Sequence, residues 1–254
     1  MDKNIKKGLE FFNKKNYQEA INAFQKSIEL TGGDFWTYNN IATAYYNMED
    51  YSSAIDFYIK ALNLNSKAPD VYMNLANAYK NNGQLLEALG TLESGLDKSP
   101  DNVDMRHQKA LFLYEDKQYD LAMEELERIL DKDEFDLNAN YDIARIYFDM
   151  GVYDSAISHY VKILDSMDNS ADIHFNMAMA YAADNNVDKA IFHLFNVISI
   201  NQAYYPAYKK LGVMLLAKGE KEEAIEYLEK YIKFDLPQDE IDEIKKIIEP
   251  KENK

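Results

Sequence analysis

Seven alanines stand 34 residues apart along this chain without a slip: Ala20, Ala54, Ala88, Ala122, Ala156, Ala190 and Ala224. A fixed period of that size belongs to stacked supersecondary units, because neither a helix nor a strand repeats on that scale. Each anchor lies in a similar segment, from YQEAI at 17–21 and YSSAI at 51–55 to VDKAI at 187–191 and KEEAI at 221–225. Twelve residues before each anchor comes a second small residue: Gly8, Ala42, Ala76, Ala110, Ala144, Ala178 and Gly212. Three residues after that stands a large one: Phe11, Tyr45, Tyr79, Leu113, Tyr147, Tyr181 and Leu215. A fourth column, Phe24, Tyr58, Leu92, Leu126, Tyr160, Leu194 and Leu228, follows each anchor by four.

Within a copy the apolar residues recur every three or four positions, which places them on one face of a helix. Turn signals such as NNGQ at 81–84 and DMGVY at 149–153 split each copy into two helices of about fourteen residues. Fifteen helices are therefore expected, seven pairs and a cap, with breaks near positions 14–17 of each copy. Small residues at Gly8/Ala42 and Ala20/Ala54 let paired helices approach closely, and Tyr45, Tyr79 and Tyr147 fill the gaps between successive pairs. No pair can cover its own apolar surface, so stability comes from neighbours and the two ends need polar faces or caps. The first helix answers this with Asn4 and Lys7 where the second copy has Tyr38 and Ile41. After Leu236-Pro237, the segment QDEIDEIKKII starts with proline and acids and ends with lysines, as a helix should. Its Ile241, Ile244 and Ile248 form a stripe that should cover the seventh copy, with the final KENK frayed.

The period and the four columns resemble the tetratricopeptide repeat over residues 1–238 of 254, most closely in PDVYMNLANAYKNNGQLLEAL at 69–89. One departure is the end-of-repeat proline, present only as Pro100 and replaced elsewhere by Gly32, Ser66, Glu134, Asp168, Gln202 and Leu236. The resemblance implies an all-α, right-handed solenoid as a single domain over 1–254. Its repeats would be 1–34, 35–68, 69–102, 103–136, 137–170, 171–204 and 205–238, closed by a capping helix at about 237–249. It also implies a module that binds another protein or peptide.

Composition removes other classes. The chain has no cysteine, so disulfides, thiolate metal sites and cysteine nucleophiles are absent. No apolar run suits a signal peptide or a membrane span, and the cytoplasm is the expected compartment. A net charge of −16 disfavours nucleic acid, which needs a basic face. Four of the seven copies, the third to the sixth, carry −3, −6, −3 and −2 of that charge. Such runs are mostly solvated faces, with docking of a basic partner as the alternative. No glycine-rich phosphate loop or nucleophile elbow occurs, so neither an enzyme nor a cofactor is expected. His159 and His193 share a column with Glu125, but neighbouring helices lie about 10 Å apart, too far for ready shared coordination. Exposed second-helix histidines and no metal are the expectation.

Opposite the buried stripe of each first helix, at 100° per residue, lie positions 2, 5, 6, 9, 12 and 13. In the resembled family this wall is the usual ligand groove. Its sixth column is Lys6, Asn40, Asn74, Gln108, Asp142, Asn176 and Lys210. Side-chain amides offer donors and an acceptor to a peptide backbone, and the column resembles the asparagine ladder of protein O-glycosyltransferases. Beside it Trp36, Tyr46, Tyr114, Tyr141, Phe148 and Phe175 fall outside the core register, where rings favour recognition. Together with Asn77, Lys80 and Arg145 they would suit an extended segment with apolar side chains. The carboxylate clamp of chaperone-binding repeats fails here, because Lys6, Asn40 and Asn74 lack the closing Lys-Arg pair. The rival expectations are a self-associating platform, hence a homo-oligomer, and a regulatory subunit of a separate enzyme.

Overall fold

The computed structural model describes residues 2–166 and 169–248, so Asp168, Glu249 and the terminal KENK lie outside the described residues. Among the described residues there are fifteen helices and no strand. In chain order the pairs begin α1 (Lys3–Asn13) with α2 (Tyr17–Thr31), α3 (Phe35–Asn47) with α4 (Tyr51–Leu64), and α5 (Pro69–Asn81) with α6 (Leu85–Lys98). There follow α7 (Val103–Glu115) with α8 (Tyr119–Leu130), α9 (Leu137–Asp149) with α10 (Tyr153–Ser166), and α11 (Ala171–Ala183) with α12 (Val187–Ile200). Last come α13 (Tyr205–Lys218) with α14 (Lys221–Tyr231), and the single α15 (Gln238–Ile248). No described helix is long and apolar enough to cross a membrane.

One backbone device makes the turn inside every copy. The residue at position 15 has a left-handed φ of 60 to 91° in all seven: Lys15, Glu49, Gly83, Lys117, Gly151, Asn185 and Gly219. The next amide then reaches back five residues to a carbonyl, from Asn16 N–H to Phe11 in the first copy and from Glu220 N–H to Leu215 in the last, at 2.8–3.0 Å throughout. That is the six-to-one bond of a Schellman stop, which satisfies a carbonyl the helix end would otherwise orphan. At four of the junctions between copies a side chain caps the incoming helix. Asp34, Asn102, Asp136 and Ser170 accept from the backbone amides of Thr37, Met105, Ala139 and Ile173 at 2.7–3.4 Å.

Contacts divide the chain into two compact units, Met1–Ile129 and Leu130–Lys254. In the first unit each core cluster joins one helix pair to the next. Ala20, Ile21 and Phe24 pack with Ile41 and Ala44, Tyr58 with Val71 and Leu75, and Leu92 with Met105 and Phe112. Tyr45 and Tyr79 each border two of these clusters, as their spacing anticipated. Each fully buried large side chain contributes about 1.5–3 kcal/mol. The small columns are as tight as the sequence requires. A Cβ on Gly8 would meet the Phe24 ring at 2.5 Å, and one on Gly212 would meet Leu228 at 2.6 Å.

In the second unit Tyr160 and Ile163 pack with Ile173 and Met177, and Leu194 and Val197 with Leu211 and Leu215. Ile244 of α15 is buried against Tyr208, Leu228 and Tyr231, with Ile248 beside them, so the cap covers the seventh copy. Lys209 Nζ and Tyr231 Oη both donate to Glu240, at 2.6 and 2.5 Å, and fix the cap's first turn.

Candidate functional site

The first helices carry the candidate groove residues, and the structure sorts them into free and committed groups. In the first unit, α3 packs against α5 and α5 against α7, so residues one period apart occupy equivalent places on adjacent helices. Asn40 and Asn74 are half-buried and have no hydrogen-bond partner among the described residues. Gln108, the next in that column, donates instead to the Met73 carbonyl at 3.3 Å. Lys80 lies 4.7 Å over the Phe112 ring and pairs with Glu115, both on the following first helix. Asn77 is half-buried beside it on α5. Trp36 is 69% exposed and touches Phe35 edge-on, with ring centroids 5.0 Å apart.

The other rings correct the sequence reading, which placed them outside the packing. Tyr46 borders a core cluster, and its hydroxyl accepts from Asn81 at 2.7 Å. In four copies the ring at position 12 folds onto the ring that opens the second helix, Phe12 on Tyr17, Tyr46 on Tyr51, Tyr114 on Tyr119 and Phe148 on Tyr153, at 5.4–5.9 Å. The register misses this because position 17 lies across the turn, where a helical wheel says nothing. In the second unit Asp142 is buried rather than presented to a ligand, and Arg145 Nη1 donates to it at 2.9 Å. Arg145 also lies 5.8 Å from the Tyr141 ring centre. Asn176 donates to the Tyr141 hydroxyl at 3.3 Å, one copy back.

Around Tyr141 and Asn176 the second unit opens a cavity of about 530 Å³. Leu137, Ile163 and Ile173 form its aliphatic part, and the rings of Tyr141, Phe175 and Tyr204 its aromatic part. Asn138, Asn176, Ser170 and Asp172 supply polar groups. Phe175 and Tyr204 stand 5.2 Å apart. Burial, together with the nearby Asp172 carboxylate, pushes the Tyr204 hydroxyl up to about 12. It therefore stays protonated beside the Asp172 carboxylate, which lines the same cavity. Tyr204 and Asp172 escaped sequence reasoning, since Tyr204 is the last residue of its copy and lies outside the first-helix columns.

A second feature unseen in the sequence is a polar column inside the pairs, between positions 4 and 23. Arg106 Nη1 donates to Glu125 at 2.7 Å, His159 meets Asn140 at 2.8 Å, and His174 meets His193 through their Nδ1 atoms at 2.9 Å. Glu125 also receives Lys109, which pairs with Glu93 as well. Burial raises the Glu125 carboxyl, but Lys109 and Arg106 more than offset it and hold it below the usual range. The expectation of exposed histidines is thereby overturned. His193 is buried and stacks on Tyr181 at 5.3 Å, while half-buried His159 stacks on Tyr147 at 5.8 Å. Burial, with His174 and Lys189 nearby, pushes His193 down to about 4, and burial with Lys162 does the same to His159. The 19-residue separation of these columns was the available signal. Among the described residues no group of three or more His, Cys, Asp or Glu side chains could hold a metal ion.

Models of the tetratricopeptide repeat match residues 35–67, 57–90 and 141–206, and one matches both 4–33 and 205–236. The chain belongs to the tetratricopeptide-repeat family. Solved structures agree in fold. The C-terminal part of a tetratricopeptide-repeat protein from Cytophaga hutchinsonii is 22% identical, with 98% of this chain and 95% of that chain covered and a TM-score of 0.70. A tetratricopeptide-repeat protein from Parabacteroides merdae is 19% identical over 96% of this chain and 97% of that one, at 0.65. YrrB, described as a TPR protein with an unusual peptide-binding site, is 28% identical over 73% and 95%, at 0.56. No curated protein matches by sequence. This repeat array is thus an all-α helical solenoid of the protein-binding kind.

Proposed function

We propose that this tetratricopeptide-repeat protein is a non-catalytic binding module that holds an extended segment of a partner polypeptide along the inner faces of its first helices. The observation that supports this most is the pair Asn40 and Asn74, equivalent residues of touching helices whose amides have no partner among the described residues. A side-chain amide presents two donors and an acceptor, which matches the alternating carbonyls and amides of an extended backbone. Trp36, exposed on the same helix as Asn40, adds an aromatic surface of the kind that leads binding energetics. The likeness to YrrB, whose description names a peptide-binding site, favours the same reading.

The test is a double substitution, Asn40→Ala with Asn74→Ala, applied to a partner first recovered from the native cell. Both sites are polar and partly exposed, so each should cost at most about 0.5 kcal/mol of stability. Binding should weaken by more, about 1–3 kcal/mol for each ligand backbone group left unpaired. A folded double variant that binds its partner normally would move the binding surface elsewhere.

A further inference from the structure

Ten residues line the cavity of the second unit, yet Asp172 is the only charged one among them. Half of the wall is apolar surface of a particular kind. Three rings, Tyr141, Phe175 and Tyr204, line it together with Ile163 and Ile173. Such a wall accepts a long hydrocarbon stem, and ring faces attract a cation at its end. The carboxylate of Asp172 stands at the same cavity and is itself exposed. The Tyr204 hydroxyl lines the cavity with it, and the lone pairs of the carboxylate are there for an incoming donor. The cation nearest by ring contact, Arg145, is already neutralised by Asp142 and does not line the cavity. The fifth and sixth copies, which build the cavity, carry net charges of −3 and −2, so the local field also favours a positive group.

We propose that this cavity receives a cationic side chain, arginine or lysine, from the bound polypeptide, with its stem against Tyr141, Phe175 and Tyr204 and its charge on Asp172. The inference rests on the peptide-binding reading above and adds a specificity pocket to it. An anionic side chain would face Asp172 across a cavity with no basic group in its wall. A neutral aromatic one would leave the carboxylate without a charged partner.

The probes are short capped peptides, identical except for one central residue: arginine, lysine, citrulline, phenylalanine or glutamate. Citrulline keeps the shape and hydrogen-bonding reach of arginine and removes its charge. Binding to the full chain is followed by the ring proton resonances of Tyr141, Phe175 and Tyr204. The arginine and lysine peptides should shift these rings saturably, with roughly tenfold tighter binding than the citrulline peptide at low salt. Asp172→Asn, on an exposed side chain, should keep the helical circular dichroism and reduce that preference to within about twofold. Tyr204→Phe should weaken binding less, because the ring remains.

Equal binding of arginine and citrulline peptides, or no effect of Asp172→Asn, would overturn the cationic pocket while leaving peptide binding intact. Preference for phenylalanine would replace it with an apolar pocket. If no peptide moves these rings, the pocket is refuted. The Asn40 and Asn74 variant, read on the native partner, then decides the peptide-binding reading separately.

Discussion

Lowering the pH from 7.5 to 5.0 should destabilise this protein while most of its carboxylates are still ionised. In the native state His193 and His159 titrate near 4, against about 6.5 in an unfolded chain. Between those values the unfolded state binds more protons, so stability is full above about 6.5 and falls as pH drops toward 4. At pH 5 each histidine then costs about 2 kcal/mol of stability, and the two together about 4 kcal/mol. His174, lowered by burial too, adds to the same direction. Geometry gives the reason. The bond between the Nδ1 atoms of His174 and His193 needs a proton on one and a lone pair on the other. Protonating both rings sets two donors face to face in a buried site. Other copies show what could replace the pair, since Tyr38 and Phe57 occupy the same columns with ring centroids 6.2 Å apart. The assay is urea unfolding by circular dichroism at both pH values and constant ionic strength, with amide exchange of α11 and α12 as the local readout. The double variant His174→Tyr with His193→Phe should lose at least half of the pH effect and keep wild-type stability at pH 7.5 to within about 1–3 kcal/mol. A stability unchanged between pH 7.5 and 5.0, or an equal drop in the variant, would refute this account.

Replacing the fully buried Ala88 with Leu should destabilise by about 1–3 kcal/mol through overpacking, against at most about 0.5 kcal/mol for exposed Glu87→Ala. Equal shifts in melting temperature would show the helix-pair contact to be looser than it is here. At the turns, Gly83→Ala at φ +78° should cost about 1 kcal/mol, whereas Lys117→Gly at φ +62° should gain up to about 1 kcal/mol. Denaturant midpoints measured together would reverse order if the left-handed strain were absent.

The sequence alone determined the helices, their pairing and their ends. Those features depend on local rules, the 34-residue column, the three-and-four spacing and the breaks at positions 14–17, and each rule was written seven times over. Repetition averages out the local exceptions that mislead a single reading. The small columns at Gly8 and Ala20 likewise implied close approach, because only steric space was at stake. What the sequence left undecided is which polar and aromatic side chains are free. A helical wheel assigns Tyr46, Phe148 and Asp142 to the inner face, but whether they are available depends on a partner across a turn or one turn along: Tyr51, Tyr153 and Arg145. The same holds for Glu125 and His193, whose column looked solvated until Arg106 and His174 were brought opposite. Only the tertiary structure could bring Tyr204, at the end of one copy, against Asp172, near the start of it. Side-chain pairing is a matter of directions and distances between elements, which periodicity does not contain.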